Sequence, residues 1–158
     1  MIRRARNYVY ITTPYLIIDD ELMTALCLAA KSGVDVRILT PGIPDKFFVY
    51  QVTQSYYPRL LEAGVHIYEY TPGFMHAKMF VSDDREAIVG TANLDFRSLY
   101  LHFENCCAFY GGLIVQRVLQ DIKNVSRECH EVTLEETYHI PLYKVFAQIF
   151  LRLFAPLL

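Results

Sequence analysis

The sequence predicts an α/β domain, a mixed β-sheet flanked by helices. Stretches rich in β-branched and aromatic residues alternate with stretches of helical spacing, in the order βαβαβββα. The connections between them are short and are punctuated by glycine and proline. The chain has 158 residues, 53% of them hydrophobic, which suits one domain of the usual ~100–200 residues with a buried core.

The elements follow in order. "YVYITT" (8–13) has strand composition and ends at Pro14. Asp19 and Asp20 offer an N-cap and first-turn negative charge to a helix through "ELMTALCLAAKS", which Gly33 stops. "VDVRILT" (34–40) is the next strand, closed by Pro41-Gly42. Helical spacing runs from about Phe47 to Ala63 and stops at Gly64. "VHIYEY" (65–70) reads as a strand, then "MHAKMFVS" and "EAIVG" as two strands joined by an acidic turn at Asp83-Asp84-Arg85. A strand from about Phe103 to Tyr110 precedes Gly111-Gly112 and a helix to about Cys129.

"TLEE" (133–136) is a capping-box pattern that opens a last helical region. In "PLYKVFAQIFLRLFAPLL", Lys144, Gln148 and Arg152 recur at four-residue intervals as one narrow polar stripe on an apolar helix. We divide the chain into a domain over 1–131 and a helical tail over 132–158. The tail suits either a lipid headgroup boundary, with Lys144 and Arg152 snorkelling, or packing on protein.

Formal net charge is −2, so there is no general electrostatic footprint for nucleic acid, and no nucleic-acid partner is expected. No signal peptide and no apolar run of ~20 residues is present in the sequence. The four cysteines, Cys27, Cys106, Cys107 and Cys129, lack disulfide-scaffold or zinc spacing and read as small buried hydrophobes. "MIRRARN" reads like the last turn of a helix whose beginning is missing, so Met1 is not expected to be the natural start.

Chemistry concentrates in residues 73–98, "GFMHAKMFVSDDREAIVGTANLDFRS". In a strand, side chains at i and i+2 share a face. His76 and Lys78 would then point the same way, with Met75, Ala77, Met79 and Val81 opposite. Such a pair sets a nucleophile or proton donor beside a phosphate-sized positive charge. The tripeptide alone is common, but the pattern continues as H-x-K-x4-D-x6-G-T-x-N through His76, Lys78, Asp83, Gly90, Thr91 and Asn93.

That pattern resembles the HKD signature of the phospholipase D superfamily, whose members break and remake phosphodiester bonds. "YITTPYLIIDDELMTALCLAAKSGVDVRILTPGIPDK", "SYYPRLLEAGVHIYEYTPGFMHAK", "GTANLDFRSLYLHFE" and the terminal "RLFAPLL" resemble the C-terminal half of bacterial cardiolipin synthases. "TPY" and "PGIPDK" are particular to that branch. The resemblance implies a phospholipase D/nuclease-like half-domain with His76 as nucleophile, forming a phosphohistidine, or as general acid. It implies Lys78, Thr91 and Asn93 as ligands of the nonbridging phosphate oxygens, and Glu104 as a carboxylate that braces His76 through Nδ1. Asp83 reads as mainly structural, Asp84 as a bystander, and His66, His102, His130 and His139 as structural. No metal or cofactor is implied.

Double displacement needs two histidines on opposite sides of phosphorus, and the chain carries one HKD motif. The resemblance therefore implies a fragment whose partner is a missing N-terminal HKD half or a second copy. By itself the chain is expected to be inactive. The implied activity joins two phosphatidylglycerol molecules into cardiolipin and glycerol, at the cytoplasmic face of a bacterial membrane. Two alternatives stand beside it: a homodimeric phosphodiesterase or nuclease, and an inactive half-domain that serves as an assembly partner.

Overall fold

A computed structural model describes residues 1–155; the last three positions of the expected tail lie outside the described residues. A 3-10 turn (Ile2–Arg4) leads into β1 (Tyr8–Thr12), β2 (Leu16–Ile17), α1 (Asp20–Lys31), β3 (Asp35–Pro41), α2 (Phe47–Glu62) and β4 (His66–Tyr70). There follow β5 (Met79–Ser82), β6 (Glu86–Gly90), β7 (Leu94–Asp95), a π-helical turn (Arg97–Leu101) and β8 (Cys106–Tyr110). The chain continues through α3 (Gly112–Ser126), β9 (Cys129–Val132), α4 (Leu134–Tyr138) and α5 (Leu142–Arg152).

Seven strands form one sheet in the order β8-β6-β5-β1-β3-β4-β9, and β2 pairs with β7 in a separate parallel pair. β1, β3 and β4 are parallel neighbours, the arrangement that helical crossovers α1 and α2 produce. The antiparallel hairpin β5–β6 lies beside β1, and β8 beyond β6. Helices cover both faces. Met23 and Leu26 of α1 and Val52, Tyr56 and Leu60 of α2 pack on Val9, Ile11, Val36 and Ile38. On the other face Val115, Val118 and Ile122 of α3 pack on Tyr10, Leu39, Val81 and Ala87.

Local chemistry sets the boundaries. The Asp19 carboxylate caps α1 by accepting from the Leu22 N–H at 2.7 Å, and the expected capping box of Thr133 and Glu136 opens α4. Asp83 and Asp84 take φ of 53° and 55°, which tightens the β5–β6 turn. Gly90 is required by close approach, since a Cβ there would lie 2.4 Å from the Asn105 carbonyl oxygen.

Two expectations are corrected. Cys106 and Cys107 are exposed, as is most of the edge strand β8 that carries them. The tail helix is inside out. Lys144 donates to Gln54 Oε1 at 3.1 Å, Gln148 is 6% exposed, and Arg152 stacks 4.4 Å over the Tyr56 ring. The polar stripe thus faces α2, and Leu142, Tyr143, Phe146, Ile149, Phe150 and Leu153 face outward. Lys144 and Arg152 do not snorkel away from the protein; α2 supplies the partners that draw them in. Among the described residues no helix is long and apolar enough to cross a membrane.

Candidate active site

The first half of the site grows from the end of β1. Thr12 and Thr13 are fully buried, and both hydroxyls are used as pins. Thr12 Oγ1 accepts from the Met79 N–H at 3.0 Å, fixing the start of β5, and Thr13 Oγ1 accepts from the Leu94 N–H at 3.1 Å. One dipeptide thereby holds both the His76–Lys78 segment and the loop that carries Thr91 and Asn93.

His76 and Lys78 lie in extended chain just ahead of β5, rather than within it as expected. The alternation still holds, since Met75, Ala77, Met79 and Val81 all turn into the core under α3. His76 is exposed, and its ring lies 5.5 Å from the Phe74 ring. Lys78 is 8% exposed and donates from Nζ to the His76 carbonyl oxygen at 2.8 Å. Burial pulls the Lys78 ammonium below its usual value, while the negative fields of Glu104 and Asp95 partly oppose that shift.

Thr91 ties the opposite wall together. Its hydroxyl donates to Glu104 Oε2, and it accepts from the Asn105 N–H at 2.9 Å. The Thr91 and Ser98 hydroxyls hold the Glu104 carboxylate below the usual range. Among the described residues Glu104 makes no hydrogen bond to the His76 ring, which departs from the expected brace. The reason is local: Gly90 pairs with Cys106 across β6 and β8, which puts Thr91 beside Glu104.

Asp83 stands apart from this wall. Its carboxylate accepts from three backbone N–H groups, Arg6 at 2.7 Å, Asn7 at 2.8 Å and Tyr8 at 2.9 Å. Burial disfavours its charge, but those three donors together win and hold its pKa low. It anchors the entrance to β1, while Asp84 binds the Tyr8 hydroxyl at 2.9 Å.

Asn93 and Glu104 line a cleft of about 190 Å³ with Tyr15, Lys46, Asp95 and Arg97. The buried Asn93 Oδ1 has no hydrogen-bond partner. Asp95, given no role in the sequence reading, is 5% exposed and accepts from the Ser98 N–H at 2.7 Å. The D-x-x-S spacing at 95–98 was the available signal for it. His102, expected to be structural, also lines the cleft and accepts from Arg97 Nε. His66 and His130 pair with Glu131 and Glu136 on the surface. Among the described residues no group of three or more His, Cys, Asp or Glu side chains could hold a metal.

A buried ammonium held on the backbone of an exposed histidine, together with a loop that carries a hydroxyl and an amide, has the groups to bind a phosphodiester and present it to a nucleophile. Comparison with known proteins gives the family and the fold. Residues 1–126 match the family model described as cardiolipin synthase, phospholipase D-like domain. The whole chain is 46% identical to an uncharacterized protein of Streptococcus mutans and 41% identical to cardiolipin synthase 2 of Bacillus anthracis, spanning 34% and 31% of their lengths. The fold matches a phosphatidylserine synthase from Haemophilus influenzae with a TM-score of 0.75 at 19% identity, over 98% of this chain and 40% of that one.

Proposed function

This chain belongs to the cardiolipin synthase, phospholipase D-like domain family, and on that premise we propose that it is the C-terminal catalytic half of a cardiolipin synthase. The chain spans about a third of the length of the curated relatives it matches. The remaining HKD motif would come from an N-terminal half or from a second copy. The observation that carries the reading is the burial of Lys78 against the His76 backbone, within the field of Glu104 and Asp95.

In this reading one imidazole Nε2 attacks the phosphorus of a phosphatidylglycerol. The bond from phosphorus to the glycerol oxygen breaks, and the opposing histidine gives that oxygen its proton. The phosphatidyl group is left on nitrogen. A hydroxyl of a second phosphatidylglycerol then attacks, returns its proton to the opposing histidine and releases the first. The products are cardiolipin and glycerol. His76 takes one of those two places. Lys78 and Asn93 hold the nonbridging oxygens as charge builds, and Thr91 keeps their wall in place.

Lipid access fits the surface. Phe47, Phe48, Phe74 and Phe103 are exposed and adjoin Lys46, the His76 segment and Glu104 in sequence. The outward apolar face of α5 suits the headgroup boundary of a bilayer. We place the working protein at the cytoplasmic face of a bacterial membrane.

The test is lipid analysis after supplying phosphatidylglycerol vesicles to this chain joined to an HKD-bearing N-terminal half. Cardiolipin and free glycerol in equal amounts are expected, with none from the chain alone. No cardiolipin above background would overturn the reading, and salt-sensitive DNA cleavage would replace it with a nuclease.

A further inference from the structure

Two loop segments, "TPY" (13–15) and "PGIPDK" (41–46), meet in space. The Tyr15 hydroxyl donates to Asp45 Oδ2 at 2.6 Å, and Lys46 Nζ lies 5.4 Å from the centre of the Tyr15 ring. Tyr15 and Lys46 form one wall of the cleft whose other wall holds Asn93 and Glu104. Residues about thirty positions apart therefore build a single corner of the cleft that Asn93 and Glu104 also line.

The polar groups of that cleft sort by what they already bind. Asp95 is engaged by the Ser98 N–H and Glu104 by Thr91, and both lie in the field of Lys78. Among the described residues Lys46 makes no ion pair. It also immediately precedes α2, whose first turn has no side-chain cap and no acidic residue, so the helix end adds positive potential to the same corner. Asn93 brings a carbonyl oxygen without a donor. The cleft thus offers an unspent cation and an unfilled acceptor, a match for a ligand that carries both a phosphate and a hydroxyl.

We propose that this corner is a glycerophosphate headgroup subsite, in which Lys46 pairs with the phosphate, Tyr15 and Asp45 hold Lys46 in place, and Asn93, after rotation of its amide, accepts from a glycerol hydroxyl. The inference rests on the phosphatidyltransferase reading and adds the residues that would choose a glycerol-bearing lipid. A volume of about 190 Å³ suits a headgroup and leaves the acyl chains outside. Tyr15 and Asp45 are positioning residues here, since they act through Lys46.

The experiment reads binding rather than turnover. Amide chemical shifts of this chain would be followed during titration with racemic glycerol 1-phosphate, inorganic phosphate and glycerol, each alone. Saturable shifts at Tyr15, Lys46, Val49 and Asn93 are expected with glycerol 1-phosphate, and weaker ones with either component. Lys46→Gln should weaken binding about tenfold, the loss of one hydrogen bond to a charged group. Tyr15→Phe should weaken it less. Equal binding of inorganic phosphate would overturn the headgroup assignment, and an unaltered affinity in Lys46→Gln would overturn the subsite. Glycerol 1-phosphate binding here, without cardiolipin from the joined halves, would remove the synthase reading and keep the subsite. Cardiolipin formation with unchanged headgroup preference in Lys46→Gln would do the reverse.

Discussion

Lys78 folds back on the main chain of His76, its Nζ donating to the histidine carbonyl oxygen at 2.8 Å. The cation is thus positioned by the backbone of the residue whose side chain it would assist. Replacing Lys78 with Met should keep the fold, because the site is only 8% exposed and Met fills it without a charge. Phosphatidyl transfer by the joined halves should fall by ~10²–10³, the usual cost of one oxyanion-stabilising donor. Lys78→Arg should not rescue it, since a planar guanidinium cannot occupy the same buried turn. Initial rates and melting curves of the two variants check this.

The same lysine should titrate early. Burial favours its neutral form, so the ammonium gives up its proton below the ordinary value of 10.5. Glu104 works against that shift, and Glu104→Gln removes a charge that holds the proton on. The variant should therefore titrate at still lower pH. Carbon-13 shifts of the Lys78 side chain across alkaline pH give the sign directly. An upward move would contradict the arrangement.

Thr13 is a small residue with a large structural task. Thr13→Val is nearly isosteric but leaves the buried Leu94 N–H without its acceptor. A loss of about 1–3 kcal/mol is expected. The displaced loop should also lower activity more than stability alone explains. Denaturant unfolding and transfer rates, measured together, separate the two effects.

Asp83 predicts an acid-sensitive fold. Its folded-state pKa lies below the ordinary 3.8, so its contribution is complete above the unfolded value. That contribution fades as pH falls through the folded one. Asp83→Asn keeps one acceptor for donors that now share two oxygens, and should cost about 1–3 kcal/mol at neutral pH. The variant should also lose less stability than the wild type on acidification below pH ~4. Unfolding midpoints at several pH values decide it.

The sequence was most legible where one local rule governs. Helices α1 and α2 begin and end within a residue or two of their caps and glycines, and the capping box at Thr133 forms as expected. Strands β2 and β7 have two residues each, and β9 has four, too short for period or composition to register. Within the site, the six motif positions were readable because their spacing is distinctive. Their mutual contacts were not. Glu104 goes to Thr91 because two strands pair in a register that no local pattern reveals. The tail stripe was correctly read as polar, yet its direction depended on Gln54 and Tyr56 from another helix.

That reversed helix turns the ordinary map of mutational tolerance upside down. A new charge at Phe146 or Phe150, both more than 60% exposed, should leave folding untouched and make the protein easier to keep dissolved. A greasy replacement for Gln148, which is only 6% exposed, would change a surface already turned away from water and bring no such gain. Anyone engineering this chain for solubility should therefore paint the oily side and leave the hydrophilic one alone.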